Sequence, residues 1–365
     1  MQNSDQLSEE VENLPGSKRL LWKTIVPRII FAIIAITIFT ALLISLDLKG
    51  AYVLISAIGI LLFLAPIPYF FSGLIDSFGW RLLFPENKRP KLLRISIVRF
   101  ATEALYMSIP GGIVFSDPLK PVLLAKKPGI KPSESIPAMG ARRTLILVTH
   151  GMFIILSAIL AWGELGEMSK KLIGVQGLNI LTMSVGAFIF ILGFFSTLGL
   201  IFGGIGKKFY KILYLLPVKR LRRYLYSKRS AFIRTDFSLR KFKDHPKKKI
   251  LTAIFSFFCV WLLESIETWL FLQLIGASIS LPAIMAFESV MTVVRSILFF
   301  LPSGIGVQDI SYVALVRAFY PENADAASTA VILLRRLRET LFVFLGYFLL
   351  LTEKTESKIS LNKID

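Results

Sequence analysis

The sequence predicts an all-α integral membrane protein, on three observations. Apolar residues gather in runs long enough to cross a bilayer, basic residues gather in the loops between them, and ionisable residues recur inside the runs. Of the 365 residues 54% are apolar and mean hydropathy is +0.66, above the ~45–50% apolar content of a soluble domain. A spanning helix takes ~20 apolar residues. The runs Ile29–Leu46, Tyr52–Ile75, Thr144–Trp162, Leu178–Phe202, Ile250–Ile275, Leu281–Leu301 and Thr329–Leu351 are of that order. They are too long, and alternate too little, to be strands. Asp5, Glu9, Glu10 and Glu12 precede the first run and no small-x-small site follows it, so it reads as a retained span rather than a cleaved signal. Residues 1–24 read as a polar cytoplasmic tail, 25–351 as the membrane domain and 352–365 as a second cytoplasmic tail.

Several function classes fall away on composition. A single cysteine, Cys259, leaves no intrachain disulfide and no cysteine cluster. His150 and His245 are far apart in unlike settings, so no metal site and no cofactor are expected. The net charge of +19 would suggest nucleic acid in a soluble protein. Here the bases flank apolar runs, which the positive-inside rule explains without a nucleic acid.

Loop charge gives a threading through a cell membrane. Lys207–Lys249 holds 16 Lys/Arg against 2 Asp, and Arg81–Arg94 holds five bases against one acid. These loops, with Lys126, Lys127 and Lys131, are expected inside. Asp47–Gly50, Glu164–Lys171, Gly276–Ser280 and Pro321–Asp325 are poor in base and are expected outside. Both termini then lie in the cytoplasm. About six full spans are expected at 29–46, 52–75, 142–162, 175–205, 250–275 and 329–351. Two hairpins, Ile95–Ala125 and Leu281–Tyr320, enter and leave on opposite faces, either stopping at mid-membrane or crossing and returning.

The hairpins share a sequence. Pro110-Gly-Gly-Ile-Val-Phe-Ser-Asp117 and Pro302-Ser-Gly-Ile-Gly-Val-Gln-Asp309 both fit P-x-G-I-x-x-x-D. Arg142 and Arg143 follow Asp117 by 25 and 26 residues, and Arg335 and Arg336 follow Asp309 by 26 and 27. With the opposed loop charges this describes an inverted repeat, 25–162 and 175–351, a common frame of transporters whose sites lie where broken helices meet. Pro and Gly end hydrophobic helices in many unrelated chains, so chance is the plain alternative. Irregular backbone at membrane depth is tolerated where it is buried in protein or lines a wet cavity.

Charges inside the runs need partners or water, since each costs at least ~2.5–3.5 kcal/mol at mid-bilayer. Glu103 lies in the first hairpin, and Glu264 and Glu267 lie in the sixth run. Glu288, Thr292 and Arg295 share one helical face. Arg335, Arg336, Arg338 and Glu339 crowd the last run, Arg335 and Glu339 at i,i+4. Salt bridges fixing helix registry would explain any one of them, and Arg142 and Arg143 could simply snorkel to the cytoplasmic interface. The set as a whole predicts a polar interior in which the planar donor fork of arginine suits phosphate. The basic loop 207–249 interleaves Lys and Arg with Tyr, Phe and Leu, as amphipathic helices on an anionic leaflet do.

At the tips the sequence resembles the flippase-like transmembrane domain of lysylphosphatidylglycerol synthases and its stand-alone relatives. That family's first tip carries Gly-Asp-x-x-Arg, and Ser116-Asp117-Pro-Leu-Lys120 stands there in this chain. Arg142-Arg143 occupies the place of a Glu-Arg pair, and Pro302-Ser-Gly304-Ile-Gly306-Val-Gln308-Asp309 matches the second tip with Asp in place of Glu. The resemblance covers roughly residues 25–351 and implies movement of a lipid or lipid-linked headgroup between leaflets. The synthases carry a soluble aminoacyl-transfer domain after the membrane part. This chain ends at Asp365 without one, so lysyl-lipid synthesis is expected to be absent.

The expected function is therefore a lipid translocator, not an enzyme, whose partners are membrane lipids and anionic phospholipid in particular. Substrate contact is expected at Pro110, Gly112, Asp117, Lys120 and Arg143, and at Glu264, Glu288, Arg295, Pro302, Gly304, Gly306, Asp309, Arg335 and Arg336. Arg295, Arg335 and Arg336 are the candidates for phosphate, and Asp117, Asp309, Glu264 and Glu288 for the rest of the headgroup or for proton coupling. No G-x-x-x-x-G-K-[ST] motif is present, which leaves a gradient or facilitated equilibration as the energy source. The alternatives are a secondary transporter or channel for a small solute, a lipid-modifying membrane enzyme and a membrane scaffold. No His, Cys or Ser constellation has catalytic spacing to support the enzyme.

Overall fold

A computed structural model of the chain describes residues 46–109, 111–125, 130, 132–202, 245–297, 304 and 306–361. The first expected span, the N-terminal tail, Pro110, Pro302 and residues 207–244 of the basic loop lie outside them. The described residues are helical and contain no strand, as an all-α membrane protein requires.

Helix α1 (Leu48–Ile58) is capped by Asp47, whose carboxylate accepts from the Gly50 N–H at 2.9 Å. A 3-10 turn (Gly59–Leu64) leads to α2 (Ile67–Leu82). The single run expected at 52–75 is thus interrupted, because Pro66 and Pro68 bring their fixed φ and missing N–H to the start of α2. Helices α3 (Leu92–Ser108) and α4 (Gly112–Ala125) form the first hairpin, packed against each other. The close approach of its arms depends on Gly112, where a Cβ would lie 2.6 Å from the Tyr106 carbonyl oxygen. Then come α5 (Pro132–Leu160), α6 (Trp162–Ile173) and α7 (Leu178–Phe202). Beyond the basic loop lie α8 (Lys247–Leu274), α9 (Leu281–Ile297), α10 (Val307–Phe319) and α11 (Ala324–Leu361). Helices α9 and α10 are the arms of the second hairpin, and α10 is capped by Asp309, which accepts from the Gly306 N–H at 2.9 Å.

Four helical stretches among the described residues are long and apolar enough to cross a membrane: Leu48–Leu82, Glu134–Leu160, Leu178–Gly199 and Lys247–Leu274. They answer to the expected spans at 52–75, 142–162, 175–205 and 250–275. Helix α11 has the length but carries Arg335, Arg336, Arg338 and Glu339 at its centre, so its composition is not that of a simple span. Apolar side chains face outward: Ile60 is 81% exposed, Phe63 76%, Phe344 70% and Phe188 67%. Hydrocarbon rather than water is the solvent that such a surface suits.

Packing inside follows small residues. Helices α5 and α7 pack closely; a Cβ on Gly193 would stand 2.6 Å from the Val148 backbone nitrogen, and Gly151 meets Phe190 in the same way. Helix α8 lies against α2, and α11 lies against α3. The helices after the basic loop therefore interlock with those before it. Aromatic contacts seal the second seam: Phe342 of α11 meets Tyr69 at 4.6 Å and Phe100 at 5.6 Å between ring centroids.

Candidate functional site

The arginines of each pair diverge, and they do so alike in the two halves of the chain. Arg142 turns inward, giving Asp76 on α2 hydrogen bonds of 3.0 Å from Nε and 2.6 Å from Nη2. Arg99 on α3 adds a third at 3.2 Å, so Asp76, only 2% exposed, gathers two guanidinium groups. Arg335 also turns inward. Its Nη1 donates to Glu288 at 3.0 Å and contacts the Tyr312 hydroxyl, which in turn donates to Glu288. Thr268 on α8 donates to the same carboxylate oxygen at 2.5 Å.

The second arginine of each pair reaches a hairpin. Arg143 pairs with Asp117, which also accepts from Lys120 Nζ at 2.9 Å. Arg336 Nη2 lies 2.6 and 2.7 Å from the two carboxylate oxygens of Asp309, and its Nη1 donates to Glu339 at 2.6 Å. The spacing noticed in the sequence therefore corresponds to one contact made twice. Snorkelling does not describe Arg142, which is buried, and Arg143 is held by an acid. The two clusters differ in sign: Asp117 meets two bases, whereas Arg336 meets two acids.

Between the helices lie two adjoining cavities. The larger, ≈ 330 Å³, reaches Asp76, Arg99, Lys120, Arg142 and Arg143. The smaller, ≈ 170 Å³, reaches Glu267, Arg295, Gly304, Arg335, Arg338 and Glu339. Glu103, Tyr106, Trp261, Glu264, Thr292 and Ser296 line both. Bases outnumber acids around the larger cavity, and acids outnumber bases around the smaller. A third pocket, ≈ 440 Å³, is walled by Pro118, Pro121, Val122, Ile136 and Met139, and Val122 and Ile136 are exposed at the outer surface. Asp117 and Arg143 close its inner end, and Arg143 also lines the larger polar cavity.

Most charges around the cavities are already matched. Arg338 meets Glu267 with two contacts of 3.0 Å and lies over the Tyr69 ring at 4.1 Å. Arg99 lies 3.8 Å from Glu103, to which Tyr69 donates at 2.7 Å. Among the described residues lining the two cavities, Glu264 and Arg295 are the two charged side chains without an ion pair. Arg295 Nη2 donates to Thr292 at 2.9 Å, while its Nε has no hydrogen-bond partner. Gly304 leaves room for that arginine's stem, since a Cβ there would be 3.0 Å from Arg295 Cγ.

The expected contact residues thus separate. Lys120, Arg143, Glu264, Arg295, Gly304 and Arg335 line a polar cavity. Glu288, Asp309 and Arg336 stand behind that lining and orient it, with Gly306 at the cap of α10. Gly112 serves the hairpin fold. Asp76, Arg99, Thr268 and Tyr312 were not among the expected residues. Asp76 directly follows the run ending at Ile75, where an acid reads as interfacial, although Arg99 and Glu103 at i,i+4 were a usable signal.

No cluster of three or more metal-ligating side chains occurs among the described residues. A family model described as lysylphosphatidylglycerol synthase TM region matches residues 26–346. No curated protein and no solved structure matches the chain.

Proposed function

Since the chain belongs to the lysylphosphatidylglycerol synthase transmembrane-region family, we propose that it is a lipid translocator, carrying a phospholipid or lipid-linked headgroup between leaflets. It is an integral membrane protein whose family is tied to lipid. The observation that carries the reading is the position of Arg143, which lines the larger polar cavity and the surface-open apolar pocket at once. An amphipathic substrate needs both environments joined, whereas a small polar solute has no use for the second.

The headgroup enters beside Asp117 and Arg143, and the acyl chains stay against Val122, Ile136 and Met139. Arg142 and Arg143 supply donors to phosphate, and acids and arginines of α8, α9 and α11 line the path beyond. The repeated contact, Asp117 with Arg143 and Asp309 with Arg336, supports an inverted repeat whose hairpins present one device to opposite leaflets. The loop charges favour cytoplasmic termini in a plasma or inner membrane. Energy comes from a gradient or from equilibration.

The test is a lipid-movement assay in liposomes holding the purified protein. Acyl-labelled phospholipid in the outer leaflet is bleached by a membrane-impermeant reductant, and the inner-leaflet label becomes accessible only as it moves. Wild type should speed that exchange over protein-free liposomes and Arg143→Gln should slow it. Exchange equal to that of protein-free liposomes would remove the proposal.

A further inference from the structure

The sequence of environments along the site matches the order of groups in one kind of lipid. From the outer surface inward come an apolar pocket, a cavity richer in bases and a smaller cavity richer in acids. Glu264 stands where the two polar cavities meet. Arg295 lines the smaller cavity with it, yet among the described residues the two form no ion pair. Among the described residues no hydrogen bond or ion pair occupies the Glu264 carboxylate, while Glu103, Glu267 and Glu339 are all held by arginines.

We infer that the headgroup is zwitterionic, with phosphate next to the acyl chains and a primary ammonium at its far end, as in an ethanolamine phospholipid. This rests on the lipid-translocator reading and deepens it. The phosphate lies by Arg143, Lys120 and Arg142, and the ammonium donates to Glu264. An anionic headgroup would satisfy the first cavity and leave Glu264 unmatched. A net-neutral headgroup adds one charge of each sign to surroundings in which, Glu264 and Arg295 apart, the charges are already paired with one another.

The ammonium is primary rather than quaternary for a geometric reason. A quaternary ammonium cannot donate a hydrogen bond and is recognised through open aromatic faces. Here Arg338 covers the Tyr69 ring, and His150 stacks on Trp261 with centroids 4.1 Å apart and planes at 17°, so Tyr106 is a single further ring lining both polar cavities rather than part of an aromatic cage. A carboxylate with its acceptors unoccupied serves an N–H donor.

The experiment is the liposome assay run on three lipids with identical labelled chains: ethanolamine, glycerol and choline headgroups. Wild type should move the ethanolamine lipid about tenfold faster than either of the others, the size of one charge-assisted hydrogen bond. Glu264→Gln should abolish the preference, so that the ethanolamine and glycerol lipids move at equal rates. Equal or faster movement of the glycerol lipid by wild type overturns the inference while translocation stands. No movement of any of the three overturns translocation itself. Should Glu264→Gln fail to fold, calorimetric binding of dihexanoyl-phosphatidylethanolamine and its glycerol counterpart to wild-type protein decides. Tighter binding of the former supports the assignment, and equal or weaker binding overturns it.

Discussion

Arg336 on α11 grips Asp309 on α10 with Nη2 at 2.6 and 2.7 Å from the two carboxylate oxygens, while the same carboxylate accepts from the Gly306 N–H at the helix start. One acid thus caps the helix that starts after Gly306 and fixes α11. Removing the arginine alone strands a buried carboxylate. Arg336→Gln is expected to cost ~3–5 kcal/mol. The double change Asp309→Asn with Arg336→Gln should cost clearly less than the sum of its parts. Thermal unfolding in detergent reads this, and strict additivity would show the contact to be inert.

The Asp76 centre should be more sensitive still, because its carboxylate serves both Arg99 and Arg142. Asp76→Asn leaves two guanidinium groups facing each other with Glu103 as the remaining acid beside them. A loss of at least ~3 kcal/mol is expected, with Asp76→Glu retaining part of it. Ligand-free melting of the three proteins is the check; an unchanged midpoint for the Asn variant would refute the role given to this hub.

Filling the apolar pocket separates its role from that of the polar cavities. Val122→Trp and Ile136→Trp place bulk at exposed lining positions, where folding stability should change by no more than ~0.5 kcal/mol. Lipid movement should slow about tenfold or more, equivalent to roughly 1.4 kcal/mol on the barrier. Unaltered flux in both variants would mean that chains do not pass there.

The side from which each hairpin is reached can be measured directly. On a Cys259→Ser background, Ser108→Cys reports on the first hairpin and Val307→Cys on the second. An impermeant thiol reagent applied to sealed vesicles should label the two from opposite faces. Labelling of both from one face would end the inverted arrangement and, with it, passage between two equivalent tips.

Local chemistry was readable where the signal lies within a few residues. Pro and Gly marked both breaks, and Asp and an Arg pair recurred at matched spacing, which reads as a repeat; that the repeated residues meet as Asp117–Arg143 and Asp309–Arg336 was not read from it. The partners of Arg142 and Arg335 were not readable. Asp76 is 66 residues from Arg142 and Glu288 is 47 from Arg335, and no periodicity connects positions that meet only in the tertiary fold. Tyr312 was hidden for another reason: an aromatic residue in an apolar run reads as packing, and its hydroxyl acquires meaning only from the groups around it.

Helix α11 supplies the lid of a compartment whose other walls, α2 and α3, are synthesised well before it. Until it arrives, Tyr69 and Phe100 lack the cover that Phe342 and Arg338 give them. A nascent chain therefore carries an unfinished greasy seam until α11 is made. Truncation before α11 would leave that seam open to the surrounding lipid.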